Sequence, residues 1–381
     1  LQNEYVTWSS FDPHSRAYDT LRSRRSAEMA RRLGLGNPIE AKTCLDCHTD
    51  NPSPELRDMK FQLDDGVGCE ACHGSAEKWI AEHRQHAIVS RSALTERGLQ
   101  RLDDPAVRAR VCTGCHLGDR DRFVTHAMMA AGHPRLSFEL DSFTEIWRVD
   151  GGREHFRRDA DYRRRKTVAS ASAVWLAGLL EAARLRVAMV DAHSRPTPGG
   201  LPEFGIYNCF SCHRSMRVHD WPEAADDELP PGSLRYDDSA LRMLSAALAG
   251  LKSEVAPRLI LARRAWQQSV ADPTKAPAAK RELLRWLTAA EREIATRPLG
   301  TASARAMLDA LARSAQRGEY TDYTAAEQAA MGMALLVEEA GLQSQLDSDV
   351  DRLFRALADD SRYDRSRFRE AFRLRQIEPR P

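Results

Sequence analysis

The sequence predicts a mainly α chain in two unlike parts, and three observations carry that prediction. Apolar residues recur every three or four positions through the C-terminal part. No stretch alternates apolar and polar residues as a half-buried strand would. All eight Cys lie at or before residue 212, in a region where regular structure looks sparse. The expected architecture is therefore an irregular, cysteine-bearing N-terminal domain followed by an α-helical bundle.

Length and charge set the frame. The 381 residues suffice for two or three domains, and 42% hydrophobic with 29% charged residues is an ordinary globular composition. Lys and Arg total 56 against 55 Asp and Glu, so a formal charge of +1 gives no support to nucleic-acid binding. The most apolar stretch, Val168 to Val190, is interrupted by Glu181, Arg184 and Arg186 and reads as a buried helix rather than a membrane span. No transmembrane segment is expected.

The cysteines carry the chemistry. They fall in four copies of one pattern: Cys44-Leu-Asp-Cys47-His48, Cys69-Glu-Ala-Cys72-His73, Cys112-Thr-Gly-Cys115-His116 and Cys209-Phe-Ser-Cys212-His213. With 12 His in 381 positions, a His after every pair arises by chance roughly once in a million. A disulfide framework or zinc would explain the pairs but not the His that follows each. Cys-x-x-Cys-His is the c-type haem attachment signature. Thiols three positions apart reach the two vinyl groups on one porphyrin edge and form thioethers, and the next residue presents its imidazole to the iron. The chain is thus expected to hold four haem c groups, with His48, His73, His116 and His213 as proximal iron ligands. Covalent haem attachment takes place on the exported side of the bacterial membrane, so a periplasmic or otherwise exported protein is expected. An opening Leu1 fits a removed signal peptide or a trimmed chain.

The sixth iron position decides between electron carriage and substrate binding. Eight further His are available: His14, His83, His86, His126, His133, His155, His193 and His219. His126 and His133 lie seven apart in Thr125-His-Ala-Met-Met-Ala-Ala-Gly-His133, two turns of a short helix, so both imidazoles are expected on one side. His83 follows His73 by ten residues on the apolar-faced segment from Trp79, and His14 precedes an expected helix from Ser15 to Leu33. Met128, Met129 and Met216 read as core filler.

Several of these stretches resemble a known family. Gly66-Val-Gly-Cys69-Glu-Ala-Cys72-His73-Gly74 with the later His83, and Trp8…His14-Ser-Arg-Ala-Tyr18, are similar to segments of the tetrahaem cytochrome c-554 family, electron carriers of ammonia-oxidising bacteria. The run from His126 through Gly132-His133-Pro134 to Leu140, and Tyr207-Asn-Cys209-Phe-Ser-Cys212-His213, resemble blocks of related multihaem cytochromes. The resemblance spans about residues 5 to 222 and implies electron transfer. It implies His14 and His83 as distal ligands, and the related block adds His126 and His133. Four such histidines would close four irons as bis-His haems, with His86, His193 and His219 in reserve. The family's first haem motif precedes its early distal His, whereas no Cys precedes Cys44 here and a fourth motif follows at Cys209. Its partner enzyme and its five-coordinate haem are accordingly not carried over.

The rest of the chain is read from its breakers and stripes. Ser194 to Pro202 is a turn-rich loop, and the acidic, Pro-rich stretch Asp220 to Gly232 marks a domain boundary. That gives a tetrahaem domain over 1–232 and a haem-free helical domain over 233–381. In the latter, Leu241, Leu244, Leu248 and Leu251 form an amphipathic stripe. Similar stripes at Pro257–Val270, Ala278–Ala295, Ala302–Ala315, Thr324–Ala340 and Asp347–Ala358 predict five to seven helices. The segment Arg362 to Arg375 holds six Arg against two acids, a solvated helix face or a docking surface. Two functions compete on this reading. One is an electron relay between donor and acceptor proteins, the helical domain serving as a docking element for a membrane surface or a larger complex or filament. The other is a haem enzyme with one open iron acting on a small nitrogen or sulfur compound, near cations such as Lys78, Arg84 or Arg135.

Overall fold

In a computed structural model of the chain, the described residues are 4–83, 89–149, 160–166, 168–195, 200–213, 229 and 232–373. They are mainly helical and contain no sheet; an isolated antiparallel bridge joins Tyr207 and Tyr236. The chain divides into two compact units, 1–169 and 170–381. The expected boundary stretch at 220–228, 230 and 231 lies outside the described residues, as do His86, His155, His219, Met216 and Arg84.

The first unit consists of short helices joined by turns: α1 (Glu4–Phe11), α2 (Arg24–Arg32), α3 (Lys42–His48), α4 (Cys69–His73), α5 (Arg91–Glu96), α6 (Pro105–His116), α7 (His126–Ala131), α8 (Leu140–Val149) and α9 (Ala160–Arg165). A small cluster of Tyr18, Leu21 and Leu45, flanked by Ile39, Cys44 and Leu63, packs between α3 and the turns before α2. The expected helix from Ser15 to Leu33 is instead two 3-10 turns, Pro13–Arg16 and Tyr18–Arg22, followed by α2. Ser23 is the cause: its extended backbone (φ −72°, ψ 152°) stops the turns, and its hydroxyl accepts the Ser26 N–H to start a new helix. The two-turn helix expected from His126 to His133 is also shorter. Gly132, left-handed at φ 119°, ends α7 at Ala131 and leaves His133 beyond the helix.

In the second unit, α10 (Ala171–His193) is buried on several sides through Val174, Trp175, Leu176, Leu179, Leu180, Ala183 and Val187. It packs on α11 (Ser239–Gly250), α13 (Ala276–Thr296) and α15 (Tyr323–Glu339), within a bundle completed by α12 (Val255–Gln268), α14 (Thr301–Gln316), α16 (Gln343–Ala356) and α17 (Arg365–Ala371). This packing places the division at Ala169/Ser170, ahead of the boundary expected at 232/233, because α10 packs on helices that follow that boundary. Small residues let the helices approach closely. A Cβ on Gly332 of α15 would lie 2.8 Å from the Trp175 ring of α10. Asp238, at the start of α11, is buried between Arg242 (2.7 Å) and Arg263 (2.6 Å). Burial alone would raise its pKa, but the two guanidinium groups outweigh this and hold it at about 2. The Arg-rich terminal helix α17 is amphipathic, with Phe368 and Phe372 buried and Arg373 paired to Glu370. No helix of the described residues is long and apolar enough to cross a membrane.

Candidate haem-binding site

Each Cys-x-x-Cys-His motif sits on a single helical turn. In α3, α4 and the last turn of α6, the two Cys at i and i+3 share a face, and the His at i+4 lies below the first Cys. The fourth motif forms a 3-10 turn from Cys209 to Ser211, closed by the His213 N–H donating to the Cys209 carbonyl at 2.7 Å. Asn208 caps this turn by accepting the Phe210 N–H at 2.8 Å. All eight Cys carry free thiols, half-buried or exposed. Among the described residues no three His, Cys, Asp or Glu side chains gather into a metal site. A haem iron asks less of the protein, because the porphyrin supplies four of its ligands and the chain needs to supply two.

Four of the histidines expected as ligands have Nδ1 engaged. Protonated there, His14 donates to the Asp12 carboxylate at 2.8 Å, His48 to the Ala17 carbonyl at 3.0 Å, His133 to the Pro134 carbonyl at 2.8 Å, and His83 to the Ile80 carbonyl. This is the arrangement that fixes a ligating imidazole's tautomer and turns Nε2 toward a metal. Asp12 also accepts the His14 N–H at 2.9 Å, so one carboxylate holds both the backbone and the ring. His126 begins α7, whose start is capped by Thr125. The carbonyls at the far end of α7 accept from Arg25 and Arg32 of α2.

Two histidines far apart in sequence come together. The rings of His14 and His116 have centroids 5.8 Å apart at an interplanar angle of 86°. Phe138 stacks on His116 at 4.7 Å, with Phe143 at its edge. Burial lowers the His116 pKa to about 4, with a further push from His14, so the neutral ligand form prevails at neutral pH. Burial also lowers His48, to which His133 adds. His14 moves the other way, raised by its hydrogen bond to Asp12. Burial raises the thiols of Cys44 and Cys69, Cys72 to about 12 and Cys112 to about 11. Cys115 comes down to about 7 through a hydrogen bond with Cys47, whose own thiol is pushed up.

Backbone contacts lock the first two motifs to the His14 segment. Val67 N–H donates to the His14 carbonyl at 2.9 Å, and the Trp8 indole donates to the Val67 carbonyl at 3.1 Å. The approach is so close that a Cβ on Gly66 would lie 2.5 Å from the His14 oxygen. Thr49, buried directly after His48, donates toward the Leu63 carbonyl at 2.6 Å and lies 3.1 Å from that of Gly66. Gly74, which caps the second motif at φ 79°, is pressed against the Gly98 carbonyl, and Gln100 N–H donates to the His73 carbonyl at 2.9 Å. Arg122 joins the first motif to the third. It lies over Gly114 and donates to the Asp46 carbonyl at 2.9 Å, while Asp119 holds its Nε at 2.9 Å. Sequence reasoning did not single out Asp12, Thr49, Arg122 or Phe138; only Asp12, two residues before His14 at a turn start, carried a local signal.

Described residues that are mainly helical, with cysteines set in four Cys-x-x-Cys-His turns, define the class of c-type cytochromes. Residues 2–74, which hold the His14 segment and the first two motifs, match the family described as Cytochrome c554 and c-prime, and this stretch is a cytochrome c554/c-prime family domain. The match implies haem-based electron transfer with haem c as cofactor and redox proteins as partners; c-type cytochromes are in general exported. The chain matches no curated protein and no solved structure.

Proposed function

We propose that the protein relays electrons between redox partners through four covalently bound haem c groups, mostly or all bis-His ligated, on the exported side of a bacterial membrane. Cys44, Cys47, Cys69, Cys72, Cys112, Cys115, Cys209 and Cys212 anchor the porphyrins. His48, His73, His116 and His213 are the proximal ligands, and distal ligands are drawn from His14, His83, His126 and His133. The haems then occupy residues 1–232, and 233–381 is a haem-free domain suited to docking a partner, a complex or a membrane surface.

The observation that carries this reading is the His14–His116 pair. Two imidazoles on opposite sides of one iron place their ring centres about 6 Å apart, given a metal–nitrogen bond of about 2.0 Å on each side. The 5.8 Å separation matches that spacing. Bound haem supplies reversible one-electron chemistry at its iron. The chain's own residues keep the His14, His48, His83 and His133 imidazoles in the ligand tautomer, cover His116 with Phe138 and Phe143, and hold the His14 and His73 backbones to neighbouring turns. Bis-His ligation leaves no iron position for a substrate, which separates an electron carrier from a haem enzyme.

Low-temperature EPR of the oxidised protein, repeated with nitric oxide after reduction, tests this. Low-spin haem signals alone, with no nitrosyl complex, are expected. A high-spin haem that takes up nitric oxide would refute closed ligation and move the enzyme reading to the front.

A further inference from the structure

We infer that His193 is the distal axial ligand of the fourth haem, the one anchored by Cys209, Cys212 and His213. The inference rests on the four-haem reading above and concerns which side chain completes one of its irons. His14, His83, His126 and His133 all belong to residues 1–169, whereas the fourth motif belongs to the compact unit 170–381. That unit contains His193, His213 and His219, of which His219 lies outside the described residues.

His193 is the last residue of α10, and two independent sets of contacts tie that end of the helix to the fourth motif. In the first, Glu203 N–H donates to the His193 carbonyl at 3.3 Å. The Glu203 carboxylate then caps the turn Phe204–Ile206 by accepting the Gly205 N–H at 2.7 Å. Ile206 is buried, and Tyr207 and Asn208 lead directly into Cys209. In the second, Arg186, two turns before His193, pairs with Asp237 at 3.0 Å. The strand-like segment carrying Asp237 grips the motif itself: Asn208 N–H donates to the Arg235 carbonyl at 2.7 Å, and Arg235 N–H donates to the Ser211 hydroxyl at 3.1 Å. Lys280 further fixes the helix end by pairing with Asp191 at 2.7 Å.

Five residues, Phe204 to Asn208, separate Glu203 from Cys209, so the hydrogen bond to the His193 carbonyl brings the end of α10 within a short loop of the fourth motif. The half-buried His193 side chain thus stands at the end of α10, which these two sets of contacts tie to the segment that leads into the motif. With His193 on the fourth iron, the three irons anchored in residues 1–169 need only three of His14, His83, His126 and His133, so one of those four is released from the distal role.

His193→Ala and His193→Met, made in the full holoprotein, test this. Haem content is measured by intact mass, spin state by EPR, and potentials by spectroelectrochemistry. In His193→Ala, four haems remain attached and one iron in four becomes high-spin. In His193→Met, one haem shows the ferric thioether-to-iron charge-transfer band and a raised potential, as Met ligation produces. Four attached haems that all stay low-spin at wild-type potentials in His193→Ala would overturn the inference and leave the electron-carrier reading standing. If His193→Ala fails to fold, absence of the charge-transfer band in His193→Met overturns it instead. Fewer than four haems in the wild-type protein would instead sink the four-haem reading itself.

Discussion

Gly66→Ala tests how tightly the fold couples His14, a proposed distal ligand, to the second Cys-x-x-Cys-His motif. Gly66 has φ 70° and ψ −146°, a backbone region that is essentially closed to other residues. Forcing Ala into it costs about 1–3 kcal/mol. The new Cβ would also meet the His14 carbonyl at 2.5 Å and the Ser15 carbonyl at 2.9 Å, both backbone atoms that no side-chain rotation can relieve. The loop must therefore back away, and losing the Val67-to-His14 hydrogen bond adds about 1 kcal/mol. A total of about 3 kcal/mol corresponds to a fall of about 6–12 °C in the melting of a unit this size. Gly34→Ala is the matched control. It too has positive φ (67°), but nothing lies within 4 Å of its would-be Cβ, so only the backbone cost of about 1 kcal/mol applies. Thermal unfolding followed by haem absorbance, with EPR of the folded protein, separates the two. Gly66→Ala should lose more stability than Gly34→Ala and convert one haem toward high spin as His14 withdraws. Equal stability losses with all haems low-spin would refute the argument that this approach positions the ligand.

Three further substitutions probe other parts of the scaffold. Arg122→Lys should cost about 1–2 kcal/mol in urea unfolding, because one ammonium cannot serve the Asp46 carbonyl and the Asp119 carboxylate with guanidinium geometry; wild-type stability would refute the clamp between the first and third motifs. Asp238→Asn leaves two buried guanidinium groups short of charge and should cost about 3 kcal/mol or more. The Asp238 pKa is depressed from 3.8 to about 2 in the folded state, so its contribution, about 2 kcal/mol, is complete above pH 3.8 and lost as the pH falls through about 2. Urea midpoints measured down that acid limb should flatten in the Asn variant. Gly332→Ala gains helix propensity but drives a Cβ to 2.8 Å from the fully buried Trp175 ring. Overpacking should win, with a net loss of about 1–2 kcal/mol, and a more stable variant would show that the α10–α15 contact yields freely.

What the sequence revealed follows from the range over which each feature is encoded. The haem motifs are local, five residues each, and the helices of the C-terminal bundle repeat their apolar stripe over several turns, so both were legible. Helix ends inside the first unit were not read correctly, although Ser23 and Gly132 are ordinary stop signals. A single capping hydroxyl at Ser23 and a single left-handed glycine at 132 set those ends, and neither alters the composition of the stretch around it. The close approach of residue 66 to residue 14, the Arg122 bridge from residue 122 to residue 46, and the stacking of Phe138 on His116 are contacts between distant positions. No periodicity reports such contacts, and a lone Arg or Phe looks the same on a surface as in a site.

The first unit holds its proposed ligands partly through the main chain. One of its side-chain clusters is built around Tyr18, Leu21 and Leu45. Backbone bonds act at the proposed ligands themselves: the His14 carbonyl to Val67, the His73 carbonyl to Gln100, and the His133 N–H to the Met128 carbonyl at 3.0 Å. Ring orientation comes from Nδ1 partners that are mostly main-chain carbonyls, which have no rotamers to lose. On the proposed reading this arrangement serves electron transfer directly. An iron that changes charge without changing its ligands, held by groups already oriented for both states, requires little rearrangement at the moment of transfer. A site built to bind and transform a substrate needs instead an iron position that no side chain fills. On that reading, the fixed backbone at His14 and His133, two of the proposed distal ligands, bears on the relay, whereas His73 would be held alike in a carrier and in an enzyme.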